Sequence, residues 1–214
     1  MSFTTKQDFV ERVKKHLAPA DADLKSDLSP VVIGDGSGLT TAELRPAAVL
    51  MGLIDRGDDC GVLFTERPKT MKAHAGQVAL PGGKVDITDE NAAAAALREA
   101  EEEIGAPRDQ VELIGQTMPF RSGSGYSISL FIGHYPDNFI PEPCEYEVDE
   151  VFETPLSFLM NPDNHKRHER EFAGAMRQYY AIPHEGRYIW GVTAGMIKRL
   201  YDRLYHNKIG SLDL

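Results

Sequence analysis

The chain has 214 residues, a length that suits one domain with extensions and allows a sizeable core. Hydrophobic residues make up 42% of it and charged residues 26%, which is ordinary for a globular protein. The net charge is −10 and no basic run occurs, so we expect no nucleic-acid partner. No apolar run approaches the roughly 20 residues that span a bilayer, so we expect no membrane partner either.

Two features of the chain indicate the compartment. Its two cysteines, Cys60 and Cys144, do not make a disulfide framework and favour a reducing environment. The N-terminal segment lacks the apolar region of a signal peptide. We therefore expect a cytoplasmic protein.

The N-terminal part predicts an amphipathic helix over residues 5–17 with Phe9 and Val13 on its apolar face. Residues 18–45 are rich in Pro, Gly and Ser and predict an irregular connection, with a turn at 34–38. We expect residues 1–44 to form an extension packed on a domain of residues 45–206, followed by a tail of residues 207–214.

Within the predicted domain, strand-like and helical segments alternate irregularly. The strand-like segments are 47–55, 61–66, 77–80, 111–120, 127–135, 145–153, 176–182 and 187–190. Short or closing helices are predicted at 156–160 and 193–205. Without a regular βαβ repeat, this pattern favours a mixed sheet flanked by helices.

Residues 91–106 form the most informative helical pattern. An apolar stripe shares one face and consists of Ala93, Ala96, Leu97, Ala100 and Ile104. Glu99, Glu102 and Glu103 fall together on another face, and Gly105 gives a helix stop. Such like-charge pairs cost roughly 0.2–0.5 kcal/mol each, so they suggest a compensating divalent cation. A solvated acidic face is the alternative.

Two weaker patterns carry charge. Arg67, Lys69 and Lys72 form either a basic patch for phosphates or ordinary loop charges. Residues 165–169, which contain two histidines, lack a third metal ligand at zinc-type spacing. We interpret that segment as a surface loop or helix.

A specific motif spans Gly83 to Ala106 and has at its centre the run Arg98-Glu99-Ala100-Glu101-Glu102-Glu103-Ile104-Gly105. It resembles the Nudix box: a glycine, an acidic residue, then Arg-Glu-apolar-any-Glu-Glu-any-Gly-apolar. The loop before the helix carries one extra residue. Counting back from Arg98 the expected acid is Glu90, whereas counting forward from Gly83 it is Asp89, and either can be the partner of Arg98.

Three further runs are similar to the coenzyme A pyrophosphatase subgroup of that family. They are Leu63–Arg67 with His74–Asp86, Val148–Leu156 and Tyr188–Ala194. The similarity covers roughly residues 45 to 205. The box is specific for the family, whereas these runs bear on the substrate.

The resemblance implies an α/β/α sandwich (α+β) with a mixed sheet and metal-dependent hydrolysis of a pyrophosphate bond. It makes Glu99, Glu102 and Glu103 ligands of Mg²⁺ or Mn²⁺ in the catalytic set, with Arg98 holding the loop acid. The Gly83 carbonyl and either Glu147 or Glu150 are expected to complete the shell. Arg67, Lys69 and Lys72 become substrate contacts, and we expect at least one to bind a 3′-phosphate. Which carboxylate is the general base stays open.

The implied substrate is coenzyme A or a thioester of it, a small-molecule nucleotide, cleaved to 3′,5′-ADP and (acyl-)4′-phosphopantetheine. One alternative is a Nudix pyrophosphatase for ADP-ribose, dinucleotides or (d)NTPs. Another is a non-catalytic nucleotide-binding module, against which the intact glutamate trio argues. A homodimer is compatible with the sequence, which does not fix the oligomeric state.

Overall fold

The architecture comes from a computed structural model that describes residues 5–24, 31–34, 39–70, 75–172 and 175–206. The helices are α1 (Lys6–His16), α2 (Ala92–Ile104), α3 (Leu156–Leu159) and α4 (Gly191–Tyr201), with a 3-10 turn at Pro162–Asn164 and a π-helical turn at Asp202–His206. The strands are β1 (Val31–Gly34), β2 (Leu39–Ala42), β3 (Arg45–Asp55), β4 (Cys60–Glu66), β5 (Val78–Ala79), β6 (Gly82–Lys84), β7 (Glu112–Gln116), β8 (Phe120–Arg121), β9 (Tyr126–His134), β10 (Glu150–Pro155), β11 (Lys166–Phe172), β12 (Ala175–His184) and β13 (Arg187–Trp190). The tail predicted at 207–214 lies outside the described residues.

The central sheet is mixed, as predicted. Its strand order is β10-β4-β3-β9-β7, while β5 pairs with β4, β6 with β3 and β8 with β9. β3 runs parallel to β9 along its length, and the other pairings are antiparallel. A polar turn at residues 56–59 joins β3 to β4.

Helices cover both faces of this sheet, because each face carries its own apolar cluster. One cluster joins α1 and α4 to the sheet and includes Phe9, Val13, Phe64, Phe152 and Ile197. The other joins α2 to the sheet and includes Leu50, Leu63, Ala96, Ala100 and Phe131. The expected α/β/α sandwich is thus confirmed.

Helix α1 forms where the sequence predicts it. The Thr5 hydroxyl caps it by accepting from the Asp8 N–H at 3.3 Å, which satisfies a donor that has no partner inside the helix. Phe9 and Val13 are fully buried in the core. Their burial ties the N-terminal helix to the rest of the described chain.

The irregular connection predicted at 18–45 is wrong over two stretches. β1 and β2 form an antiparallel pair, with Val31 opposite Ala42 and Gly34 opposite Leu39. The β-branched runs at 31–33 and 40–41 have strand propensity, which the surrounding Pro, Gly and Ser residues obscured. Of the turn predicted at 34–38, residues 35–38 lie outside the described residues.

The surface loop or helix predicted for residues 165–169 is also wrong. From Lys166 this segment is strand β11, which pairs with β12 in a three-stranded sheet of order β11-β12-β13. Charged residues dominate β11, so no apolar alternation marks it as a strand, and long-range pairing determines its structure. The predicted strand at 145–153 begins only at Glu150, after a turn at 145–147.

Among the described helices, none has the length and apolarity that crossing a bilayer requires.

Candidate active site

Helix α2 places the predicted carboxylates, and its two ends are well defined. The Asn91 side chain caps the first turn by accepting from the Ala94 N–H at 3.0 Å. Gly105 ends the helix in the left-handed conformation at φ 71°, as the sequence predicts. Ala96, Ala100 and Ile104 are buried against the sheet, which fixes the rotation of the helix about its axis.

That rotation gives the three glutamates different environments. Glu103 is 4% exposed, whereas the Glu102 side chain is 48% exposed. The exposure of Glu99 is intermediate, so this residue is partly buried. The alternative of an ordinary solvated acidic face therefore fails for Glu103.

The two glycines of β6 allow close contacts on both sides of the strand, with β3 at Gly82 and with α2 at Gly83. The Gly82 N–H donates to Oε2 of Glu103 at 3.1 Å. A Cβ at Gly82 would lie 2.4 Å from the Ala48 carbonyl oxygen, and its φ of 152° is accessible mainly to glycine. A Cβ at Gly83 would lie 2.5–2.6 Å from the Glu99 carboxylate. The sequence motif begins at Gly83, and the role of Gly82 was not predicted.

Arg98 is held by Asp89, which resolves the ambiguity left by the longer loop. The Arg98 guanidinium donates to both oxygens of Asp89, at 2.9 and 3.0 Å, and to the Lys84 carbonyl at 3.2 Å. Asp89 also accepts from the Asp86 N–H at 2.7 Å, whereas Glu90 is exposed. The hydrogen bond from Arg98 lowers the pKa of Asp89. The loop before α2 is thereby fixed to the helix.

Arg98 also contacts two members of the glutamate trio. Its Nη1 lies 3.0 Å from Oε1 of Glu99 and 2.9 Å from Oε2 of Glu102. These contacts offset part of the repulsion among the carboxylates. Arg98 thus lies at the edge of an acidic cluster formed by Glu99, Glu102 and Glu103 and joins it to the loop before α2.

Burial and like charge both act on the cluster. Burial is the largest cause that raises the pKa of Glu103 to about 7; the charges of Glu99 and Glu147 act in the same direction, and the Gly82 N–H and Arg67 oppose it. Burial also raises the pKa of Glu99; Arg98 opposes that shift, while Glu102 and Glu147 add to it. Carboxyls that repel one another and resist ionisation are typical of a site that binds a cation or transfers a proton.

The structure distinguishes the two predicted additional ligands. Glu147 lies in the turn before β10, and its charge acts on both Glu99 and Glu103. Glu150, at the start of β10, forms an ion pair with Arg187. Of the two, Glu147 is the one that belongs to the acidic cluster.

The three predicted basic contacts also separate. The positive charge of Arg67 lowers the pKa of Glu103, so Arg67 lies near the buried carboxyl. The Lys69 side chain is 78% exposed and its Nζ lies 3.9 Å from Oε1 of Glu66. Lys72 lies outside the described residues.

Tyr135 is a neighbour of the cluster that sequence reasoning missed. It follows β9 and is buried beside α2, and within the described residues its hydroxyl has no hydrogen-bond partner. Burial and the charge of Glu103 raise its pKa, so the hydroxyl stays protonated. In the sequence, an aromatic residue at the end of a strand does not indicate that it lies beside an acidic cluster.

The donor chemistry of the cluster fits a divalent metal ion, since carboxylate oxygens are the ligands that Mg²⁺ and Mn²⁺ prefer. As the side chains stand, no three His, Cys, Asp or Glu residues in the described ranges are grouped closely enough to hold a metal ion. Their present partners are consistent with this, because Arg98 contacts Glu99 and Glu102 while Gly82 donates to Glu103.

A separate open cleft of about 410 Å³ lies near the ends of β3 and β9. Lys6, Asp55 and His134 line it, and none of the predicted site residues does. The cleft has mixed charge, and Tyr135 also lines it, so it adjoins the buried side of the acidic cluster through that ring.

A sequence profile of the NUDIX domain matches residues 43–175, more than half of the chain. The chain belongs to the Nudix family. The Nudix box predicted at Gly83 to Ala106 lies inside the matched region. Its helix is α2, which carries the acidic cluster.

Relatives and a solved structure agree with this assignment. The uncharacterized Nudix hydrolase NudL of Escherichia coli K12 is 39% identical over 160 residues, covering 75% of this chain and 83% of the relative. NudL of Citrobacter koseri is 38% identical over 173 residues, covering 81% and 87%. The Nudix hydrolase RenU of M. smegmatis has a TM-score of 0.50 at 20% identity, covering 86% of this chain and 98% of RenU, and supports the fold.

Family membership supports hydrolase activity on a pyrophosphate bond. Nudix hydrolases generally use divalent metal ions such as Mg²⁺ or Mn²⁺.

Proposed function

We propose that this Nudix hydrolase cleaves the pyrophosphate bond of coenzyme A or its thioesters, giving 3′,5′-ADP and (acyl-)4′-phosphopantetheine. The observation that carries the hydrolase part is the buried carboxyl of Glu103, held by the Gly82 N–H beside Glu99. Burying a carboxyl among like charges is unfavourable, so its place in the fold argues for a functional role.

The substrate assignment rests on the runs that resemble the coenzyme A pyrophosphatase subgroup. The run within 63–86 contributes Arg67 and the two glycines of β6, which border the acidic cluster. A sequence signature that borders the site is well placed to select the substrate. ADP-ribose, dinucleotides and (d)NTPs share the diphosphate and are the alternative substrates.

The metal ligands in this proposal are Glu99, Glu102 and Glu103, together with the Gly83 carbonyl and Glu147. A bound Mg²⁺ or Mn²⁺ supplies charge neutralisation of the diphosphate and lowers the pKa of a bound water. Glu147 is preferred to Glu150 because only Glu147 acts on the pKa values of the cluster.

The remaining residues have supporting roles: one fixes a loop, one contacts the substrate and one accepts a proton. Arg98 fixes the loop through its paired hydrogen bonds to Asp89. Because Arg67 lies near Glu103, we assign it to the diphosphate rather than to a distant phosphate. Glu103 and Glu147 are the two candidates for accepting the proton of the attacking water.

Product identification tests the proposal. Coenzyme A is incubated with the protein and Mg²⁺ or Mn²⁺, and the products are separated and identified by mass spectrometry. We expect 3′,5′-ADP and 4′-phosphopantetheine, and no products with the Glu99→Gln variant. Intact coenzyme A, or loss of the 3′-phosphate alone, would refute this substrate.

A further inference from the structure

The outer three-stranded sheet has two faces of different chemistry. Side chains alternate along each strand, and the inward face carries Ile182 and Ile189, both buried in the core. The opposite face includes Arg177, Pro183 and the buried Ala181, and its charged and aromatic residues also include the following six: Lys166, His168, Arg170, Tyr179, Tyr188 and Trp190. We call these six residues the basic aromatic face.

Its aromatic residues contact one another and form a platform. The ring of Tyr179 stacks on His168 with centroids 5.7 Å apart and meets Trp190 edge-on at 5.7 Å. The hydroxyls of Tyr179 and Tyr188 lie 3.4 Å apart, and Tyr188 is 40% exposed. Rings fixed in this way offer π-faces on which a nucleobase can stack without reorganisation.

The charges on this face have one sign. Lys166, Arg170 and Arg177 project outward, and in the described parts of the three strands no Asp or Glu shares their face. Arg170 lies directly opposite Arg177, an arrangement that destabilises a strand pair. The chain has a net charge of −10, yet this face concentrates positive charge despite the repulsion between Arg170 and Arg177. Such a face is electrostatically complementary to a polyanion.

The face begins beside the strand that leads into the acidic cluster. Thr193, in the first turn of α4 after Trp190, donates its hydroxyl hydrogen to the Val78 carbonyl at 3.1 Å. Val78 belongs to β5, which continues through Pro81 into the glycine strand β6. The platform and the cluster are thus connected through β5.

We propose that the basic aromatic face binds the nucleoside 3′,5′-bisphosphate half of the substrate. The base stacks on Tyr179 and Tyr188, and Arg170 with Lys166 contacts phosphate. This inference rests on the proposed function for the identity of its ligand, and it assigns the 3′-phosphate to this face rather than to Arg67.

Binding of 3′,5′-ADP to the full chain with Mg²⁺ present tests this directly. The ligand has no pyrophosphate bond and is not consumed, and Trp190, the single tryptophan of the chain, reports its binding by fluorescence. Tyr188→Ala and Arg170→Gln are each expected to raise the Kd about tenfold. Arg167→Gln is the matched control, because Arg167 is exposed on the same strand but on the other face.

Unchanged affinity in both test variants, an equal loss in the control, or no binding by the wild type would overturn the proposal. Tyr188→Phe keeps the ring and should bind like the wild type, so a loss there as well would also count against stacking. A short oligoadenylate that binds this face more tightly than 3′,5′-ADP would identify nucleic acid as the occupant instead.

The two proposals fail separately. If coenzyme A is cleaved but the Kd for 3′,5′-ADP is unchanged in the face variants, only the inference about the face is lost. If coenzyme A is not cleaved but 3′,5′-ADP binds through Tyr188 and Arg170, the face stands and the proposed substrate is lost.

Discussion

Glu103 combines features that rarely occur together in one carboxyl. It is buried, it accepts one backbone N–H from Gly82, and the charges of Glu99 and Glu147 act against its ionisation. Its sequence position was predictable from the Nudix box, but its burial was not. Burial depends on Gly82 and on the packing of α2 against the sheet, which are contacts distant in sequence.

The pH dependence of stability in the metal-free protein should show this burial. The pKa of Glu103 is raised from 4.5 to about 7, so the folded state binds the proton more tightly than the unfolded chain. Its contribution to the free energy of unfolding is complete below about pH 4.5 and is lost as the pH rises to about 7. Glu103→Gln should therefore be the more stable protein at about pH 8, by at most on the order of 3 kcal/mol.

Chemical denaturation in EDTA at about pH 5 and pH 8 measures this, with the exposed Glu102→Gln as the control. If the free energy of unfolding depends on pH identically in the wild type and in Glu103→Gln, the assigned burial is contradicted. With Mg²⁺ present, Glu103→Gln should lose more activity than the roughly 10–100-fold typical of losing an outer-shell partner of a metal.

The pairing of Arg98 with Asp89 leads to a second prediction. Asp89→Asn removes the charge that Arg98 contacts and should lower kcat/KM by about 10–100-fold. Glu90→Gln, one residue away and exposed, should leave kcat/KM within about twofold, as expected for an outward-facing charge. Equal losses in the two variants would mean that the loop acids act through net charge rather than through the bond to Arg98.

At the scale of elements, local patterns predicted some parts of the fold and not others. Helix α2 has an apolar stripe, a cap and a glycine stop within its own sequence, so its position was predictable. β11 and β6 lack such patterns: β11 is highly charged, and β6 is two glycines and a lysine. Both are strands because a distant partner, β12 or β3, supplies the hydrogen bonds.

The close approach of β6 to α2 gives a third prediction. In Gly83→Ala the new methyl group displaces the Glu99 carboxylate, which is the flexible end of a side chain. Metal-free stability should therefore fall by less than about 1 kcal/mol, while the Kd for Mn²⁺ rises about tenfold.

Calorimetric titration with Mn²⁺ and thermal melting in EDTA separate the two effects. Gly123→Ala is the matched control, since its Cβ would meet only an ordinary contact at 3.8 Å. Unaltered Mn²⁺ affinity in Gly83→Ala would place the metal away from Glu99.

At the scale of the whole molecule, the mixed sheet with helices on both faces brings distant segments to one site. Residues from β6, α2 and the turn at 145–147 meet at the acidic cluster, together with Arg67, which directly follows β4. A ligand bound there stabilises the folded chain as a whole, because it binds only the native arrangement.

Divalent ions should consequently raise the Tm. At a concentration of about 100 Kd the stabilisation is about 2.7 kcal/mol, which for a chain of this size shifts the Tm by roughly 5–10 °C. Calorimetry on the wild type and on the triple variant Glu99→Gln, Glu102→Gln and Glu103→Gln checks this. The shift should vanish in the triple variant, and its persistence would locate the ion elsewhere.

The comparison of kcat/KM for coenzyme A and for ADP-ribose, under the same Mg²⁺ concentration, tests the proposed function most directly. The acidic cluster acts on the diphosphate that both compounds share, so any preference must come from contacts to the 3′-phosphate and the pantetheine arm that persist in the transition state. We predict that kcat/KM is at least about tenfold higher for coenzyme A, which one charge-assisted contact suffices to provide. An equal or higher kcat/KM for ADP-ribose would contradict the coenzyme A assignment and leave only the Nudix hydrolase.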